Sequence, residues 1–327
     1  MDAYIVRELT AEELDRVVYR IFPDTGTYSF NILKGGLFNT TYLLESPDWE
    51  KKYILRIGPV RRELLLPYEH HLMDAEVWAY EKMAEAGIPT SKVVYADTSK
   101  TLIDRDFMAV EYIPSVGLNR NALTEDGVRE VYRQTGRYCR MMNDIHTEKF
   151  GRVGFILNGG GSDTWSEYIR TELQGWADSI RRNTEGYYTD EELDAIVAVA
   201  DTYRDILDEI KTPCFNHCDM WSLNVLIPDT GEAEVRAIID PDRCCMGDPD
   251  FELASGWMMT DEFYEGYGRR IADDPHTKIR VTIYRMMFFI LNGYFMRTQY
   301  EDKSHSLGDR ERGLECLRAL SEIGWNH

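Results

Sequence analysis

Apolar residues return at helical spacing along LTAEELDRVVYRIF, where Thr10 stands as the cap and Glu13 at the position that closes a capping box. A short leading helix is predicted. The period then changes. YSFNILKGGLFNTTYLLES and KKYILRIG are rich in β-branched and aromatic residues, which predicts three strands, the first two joined across Lys34, Gly35 and Gly36. In MDAEVWAYEKMAEAGIPTSKVV a helical stripe resumes at Ala75, Val77, Tyr80 and Ala84, with Asp74 to cap its start and Gly87 and Pro89 to stop it. TLIDRDFMAVEYIPS predicts two more strands around a polar turn, ending at Pro114.

From there helical spacing dominates. Val128, Val131, Tyr132, Thr135, Tyr138, Cys139 and Met142 share one side of a long helix. WSEYIRTELQGWADSIRR and TDEELDAIVAVADTYRDILDEI, the second capped by Thr189, predict two further helices, and LGDRERGLECLRALSEIG a last one. One strand-like interruption breaks the series: NVLI and VRAIID flank the turn PDTG and predict a hairpin.

Composition narrows the class. At 327 residues, 43% hydrophobic and 12% aromatic, the chain has material for about two domains with real cores. Its net charge of -20 repels phosphate backbones and anionic lipid surfaces, which speaks against nucleic-acid or membrane partners and for attraction of a cationic small molecule. The first twenty residues mix charged and apolar positions without an apolar core of signal-peptide length. MMFFILNGYFM, eleven uncharged residues between Arg285 and Arg297, is about half the length that spans a bilayer and is expected as a buried helix. Six cysteines in a chain this long make no disulfide framework, and a reduced, cytoplasmic setting fits. Cys214, His217, Cys218, Cys244 and Cys245 gather about the hairpin, but their spacing is not that of a zinc knuckle.

The chemistry concentrates in CFNHCDMWSLNVLIP and EVRAIIDPDRCCMGDPDFELA. Asp219 is followed by Asn224 five residues later and by Asp240 sixteen beyond that. In phosphoryl transfer the protein mainly positions a nucleophile and neutralises charge, so a carboxylate must face the attacking hydroxyl while an amide oxygen and a second carboxylate hold Mg²⁺ against nucleotide phosphates. The predicted hairpin brings Asn224, where it begins, and Asp240, where it ends, to the same end. Both can reach one metal.

These residues carry a resemblance. HCDMWSLN and IIDPDRCCMGDPDFELA are similar to the catalytic segment of the aminoglycoside phosphotransferase and choline kinase-like superfamily, relatives of protein kinases. The Trp-Ser before Asn224 and the Asp-Pro at Asp240 are locally similar to fructosamine kinases. The resemblance implies an α+β, bilobal protein-kinase-like fold. Residues 1–113 would form a nucleotide-binding lobe with an antiparallel sheet and one main helix, and residues 114–327 a mainly helical catalytic and substrate-binding lobe. It implies Asp219 as catalytic base, Asn224 and Asp240 as metal ligands and Asp248 as a brace for the catalytic loop. Gly35, Gly36 and Asn39 would border the phosphates of ATP or GTP, Arg56 would stand where the family has a lysine, and Glu76 would pair with it. The backbone from Glu111 to Ile113 would meet the purine edge. Cys218 departs from the family's glycine, and Pro241 from a bulkier residue.

The activity implied is transfer of the γ-phosphate to a hydroxyl of an aminoglycoside-like or amino-sugar molecule, with ketosamines and choline-like amino alcohols as other acceptors. Trp221, Asp242 and Trp257 are candidates to line its pocket. Two rival readings stay open: a nucleotide-binding pseudokinase, suggested by the arginine at the lysine position, and a hydrolase using Asp219 and His217.

Overall fold

The computed structural model describes residues 4–33, 38–120 and 122–323. Helix α1, Ala11–Ile21, starts at the foreseen capping box: the Glu13 amide donates to Thr10 Oγ1 at 3.2 Å and the Thr10 amide to Glu13 Oε2 at 2.9 Å. Strands β1 (Ser29–Leu33), β2 (Thr40–Glu45) and β3 (Tyr53–Ile57) follow, then helix α2 (Leu72–Glu85) and strands β4 (Val93–Asp97) and β5 (Phe107–Glu111). They form one antiparallel sheet in the order β1-β2-β3-β5-β4. Leu14, Val17 and Val18 of α1 pack on one face against Tyr42, Leu44, Leu55 and Ile57, and α2 sets Met73 and Tyr80 on the other against Met108 and Val110.

Two local expectations fail here. The strand before β5 is Val93–Asp97, not the TLI segment, because the apolar residue Ile103 is a plug in the core beside Phe107 rather than a ladder residue. Asp74 does not cap α2. The helix begins two residues earlier, after a turn of tighter helix at Pro67–His71, and Asp74 instead accepts from Thr98 Oγ1 at 2.8 Å.

The larger lobe is mainly helical. It opens with the short strand β6 (Val116–Gly117), helix α3 (Glu125–Asn143), strand β7 (Gly151–Arg152), and helices α4 (Val153–Leu157), α5 (Trp165–Asn183), α6 (Asp190–Thr202) and α7 (Arg204–Leu207). Then come strands β8 (Cys214–Asn216), β9 (Val225–Ile227), β10 (Ala237–Ile238) and β11 (Cys245–Gly247), and helices α8 (Pro249–Leu253), α9 (Asp261–Tyr267), α10 (Pro275–Thr298) and α11 (Lys303–Glu322). Threonines 124, 164 and 189 cap α3, α5 and α6. The apolar run of α10 is buried through Met286, Met287, Ile290 and Tyr294, and no described helix is long and apolar enough to cross a membrane.

Two features position the cleft between the lobes. β6 pairs with β9, so the chain leaving the small lobe joins the sheet β10-β9-β6 that carries the hairpin. Helix α2 packs both ways: while Met73 and Tyr80 face their own sheet, Ala75, Ala79 and Met83 share a core with Val225, Ile227 and Ile238 of the other lobe. At the end of β11, Gly247 is required by space, since a Cβ there would come within 2.3 Å of the Trp165 ring.

Candidate active site

The hairpin formed by β9 and β10 pairs Val225 with Ile238 and Leu226 with Ala237. One step further, the Ile239 amide donates to the Asn224 carbonyl at 3.0 Å, so Asn224 and Asp240 emerge side by side at one end. Asp219, on the loop between β8 and β9, joins them: Asn224 Nδ2 donates to the Asp219 carbonyl at 2.9 Å and to its Oδ2 at 3.1 Å. That leaves the amide oxygen of Asn224 as the group it can offer a cation.

The loop's shape has an identifiable cause. Cys218 adopts φ +64°, the left-handed region that favours glycine, and its amide donates to the Glu252 carboxylate of α8 at 2.8 Å. Glu252 escaped the sequence reading, although it lies within the quoted DPDFELA segment. Asp248 braces the loop through α8 rather than by touching it, accepting from Tyr284 Oη at 2.8 Å and from the Asp250 amide at 3.0 Å. His217 is buried. The Asp219 amide donates to its Nδ1 at 3.3 Å, which leaves Nε2 to donate to the Ile239 carbonyl at 3.0 Å. Burial lowers its pKa to about 4, so it is a neutral strut with both ring nitrogens engaged, not the base of a hydrolase.

Arg56 of β3 sits at the centre of a charge cluster. Its Nη2 contacts Asp240 and lies 3.2 Å from Glu76 of α2 and 3.7 Å from Asp242. Asp242 belongs to this cluster while also lining the cleft, because the turn of tighter helix at Pro241–Arg243 folds it toward Arg56. Glu76, fully buried, acts behind Arg56 and does not reach the cleft. The Asp240 amide donates to the Tyr80 hydroxyl at 3.1 Å and Asp240 has φ +63°, so α2 also holds the backbone that presents this carboxylate.

The electrostatics follow from burial. It pushes the Asp219 carboxyl up to about 6, against the pull of Arg243 and with a further push from Asp240. The same cause raises Glu76 and Asp242. A base near neutral pKa combines a usable ionised fraction with proton affinity. Around Arg56, the Glu76, Asp240 and Asp242 carboxylates offer oxygens within 4.8 Å of one another. Both Glu76 oxygens and Arg56 Nε are buried without a hydrogen-bond partner. Two of the three acids about this guanidinium favour their protonated forms through burial, a bias that a bound cation would reverse, and an all-oxygen donor set with an adjacent amide oxygen suits a hard divalent cation such as Mg²⁺.

These groups open onto a cleft of about 990 Å³. Glu111, Tyr112 and Ile113 line its inner edge. The Glu111 and Tyr112 amides are taken by the Lys92 and Lys52 carbonyls, and the Glu111 carboxylate turns out to Lys51. Gly35 and Gly36 lie outside the described residues. Asn39 is buried just before β2 and does not line the cleft. Its neighbour Phe38 does, with the Arg243 guanidinium 5.7 Å from the ring centre. Trp221 and Trp257 both reach the cleft wall.

Comparison with known proteins bears on family and fold. Residues 29–279 match the model of the phosphotransferase enzyme family (APH). No curated protein matches the chain by sequence. Among solved structures, a putative fructosamine-3-kinase from Haemophilus somnus superposes with a TM-score of 0.67 at 13% identity, over 94% of this chain and 97% of that one. The aminoglycoside phosphotransferase APH(4)-Ia, bound to AMP-PNP and hygromycin B, gives 0.63 at 15% identity, with 92% and 97% covered. APH(2") in complex with GDP and kanamycin gives 0.62 at 12%, with 95% and 99% covered. At such identities the likeness is one of fold: a sheet-bearing small lobe on a helical large lobe.

Proposed function

The chain belongs to the phosphotransferase enzyme family, and on that premise we propose that it is a Mg²⁺-dependent kinase that moves the γ-phosphate of ATP or GTP onto a hydroxyl of a small molecule. What supports the reading most is the gathering of Asp219, Asn224 and Asp240 at one end of a hairpin, open to a cleft and beside Arg56.

In this reading the lobes meet after Ile113, and the purine lies along Glu111 to Ile113 while the phosphates point to Arg56. Asn224 and Asp240 would hold the metal, with Asp242 beside them. Mg²⁺, when bound, would supply neutralisation of phosphate charge. Asp219 accepts a hydrogen bond from the acceptor hydroxyl and orients its oxygen. A bond forms between that oxygen and the γ-phosphorus, the bond from this phosphorus to the β–γ bridging oxygen breaks, and nucleoside diphosphate leaves. The hydroxyl proton passes to Asp219. Arginine at the lysine position keeps the charge and adds a planar fork of donors, here shared between Glu76 and Asp240.

The neighbours' ligands favour an aminoglycoside-like or amino-sugar acceptor. The lining of the cleft beyond Asp219 argues for another. The test of the activity itself is direct: nucleoside diphosphate release with Mg²⁺ and a mixed panel of hydroxylated acceptors, beside nucleotide binding measured by thermal shift. Binding without release on any acceptor would favour the pseudokinase, and neither binding nor release would end the kinase reading.

A further inference from the structure

Past Asp219 the cleft continues between the segment after α8 and the facing sides of α10 and α11. Its wall there is aromatic. Trp221, two residues beyond Asp219, lies with its ring centre 6.2 Å from that of Trp257, and Trp257 meets Phe288 edge-on at 5.0 Å. Trp257 is 45% exposed, a large ring in a cleft wall that its own chain leaves uncovered.

The carboxylates of this half are already engaged. Glu252 accepts the Cys218 amide, and Asp309, buried on α11, accepts from Asn292 and lies 3.4 Å from both Arg312 and His305. Among the described residues of this wall Asp219 is the carboxylate left to face an acceptor, Asp240 and Asp242 lying on the Arg56 side of the cleft. Conversely Arg285, exposed on α10 one turn before Phe288, has no ion pair or hydrogen bond among the described residues. A molecule with several ammonium groups loses hydration on entering and needs several free carboxylates in return. The described wall does not supply them, whatever the net charge of the whole surface.

Resting on the kinase reading, we infer that the acceptor is a hydroxylated molecule with an apolar ring face, neutral or singly anionic rather than polycationic. The ring lies on Trp221, Trp257 and Phe288, its hydroxyl meets Asp219, and an anionic substituent meets Arg285. Stacking on exposed aromatic faces supplies affinity without demanding one hydrogen-bond pattern.

The test uses the full chain with Mg²⁺ and ATP or GTP and three acceptor sets: aryl glycosides with alicyclic alcohols, polycationic aminoglycosides, and quaternary amino alcohols. Nucleoside diphosphate release is measured for each, together with tryptophan emission in the presence of a non-hydrolysable nucleotide. The ring alcohols should show kcat/KM about tenfold or more above the other sets and should quench the emission. Trp257→Ala should raise their KM about fivefold with kcat little changed, and Trp257→Phe should recover most of the loss. Faster turnover of aminoglycosides or amino alcohols, an unmoved KM in Trp257→Ala, or nucleotide binding with neither turnover nor quenching by ring alcohols would overturn the acceptor class alone. Failure to bind nucleotide would overturn the kinase reading and this inference with it.

Discussion

Arg56 and Trp257 border one cleft, yet the first is 9% exposed inside a net of acids and the second 45% exposed with one face free. The contrast extends to their surroundings. Around Arg56 each charge meets a partner on another element: Glu76 of α2 and Asp240 both meet the guanidinium carried by β3, and the Asp240 amide is fixed by the Tyr80 hydroxyl of α2. Around Trp257 the contacts are ring against ring, Glu252 and Asp309 are tied to their own partners, and Arg285 is left without an ion pair or hydrogen bond among the described residues. Chemistry on a phosphoryl group tolerates little displacement, so its half is over-determined. Recognition of an acceptor tolerates more, and its half is a surface. Fold and catalytic loop can thus persist while the acceptor changes.

The sharpest way to separate the halves is Asp219→Ala. It should lower kcat by about a thousandfold while nucleotide affinity stays within about twofold, because only the nucleophile's positioning group is lost. Stopped turnover with unchanged nucleotide titration is the expected pair of results; turnover at the wild-type rate would show that another group is the base. Next in size, Arg56→Met removes the guanidinium from three acids and should destabilise by roughly 3 kcal/mol or more in metal-free urea unfolding, with Arg56→Lys recovering part. Trp257→Ala, which gives up one half-buried ring, should cost less, about 1 kcal/mol, in the same titration. Equal losses would erase the distinction between the two halves.

A smaller effect concerns His217. Its folded pKa, about 4, lies below the ordinary 6.5, so its contribution to stability is complete above pH 6.5 and is lost as pH falls from there through 4. The raised Asp219, Glu76 and Asp242 carboxyls act with the opposite sign over this range, so the measure is a difference: the stability of the parent relative to His217→Asn should fall by about 2 kcal/mol from pH 8 to pH 5. Smallest of all is Cys218→Gly. Relief of left-handed backbone, roughly 1 kcal/mol, is offset by the added freedom of the unfolded chain, and the variant should stay within about 0.5 kcal/mol of the parent.

What was legible beforehand divides along local and distant lines. The hairpin, its PDTG turn and the side-by-side exit of Asn224 and Asp240 follow from nearby residues, as do the caps at Thr10 and Thr189. The proximity of Arg56 and Glu76 was suggested by likeness, not by spacing. Distant partnerships were invisible: Glu252 reaching the Cys218 amide across 34 positions, Asp242 turning to Arg56, and Ile103 filling a core instead of extending a strand. Asn39 shows the same limit, since one residue of register decides which side chain meets a cleft.

The bend at Cys218 bears on ancestry. Where related sequences place glycine, this chain bears a thiol and retains the curve by tying the amide to an acid on the following helix. The φ of +64° that glycine adopts freely is here kept by a cysteine whose amide is anchored. Inheritance at such a spot is of a contour, and the letter written there is free to drift wherever a neighbour takes over the job of keeping it.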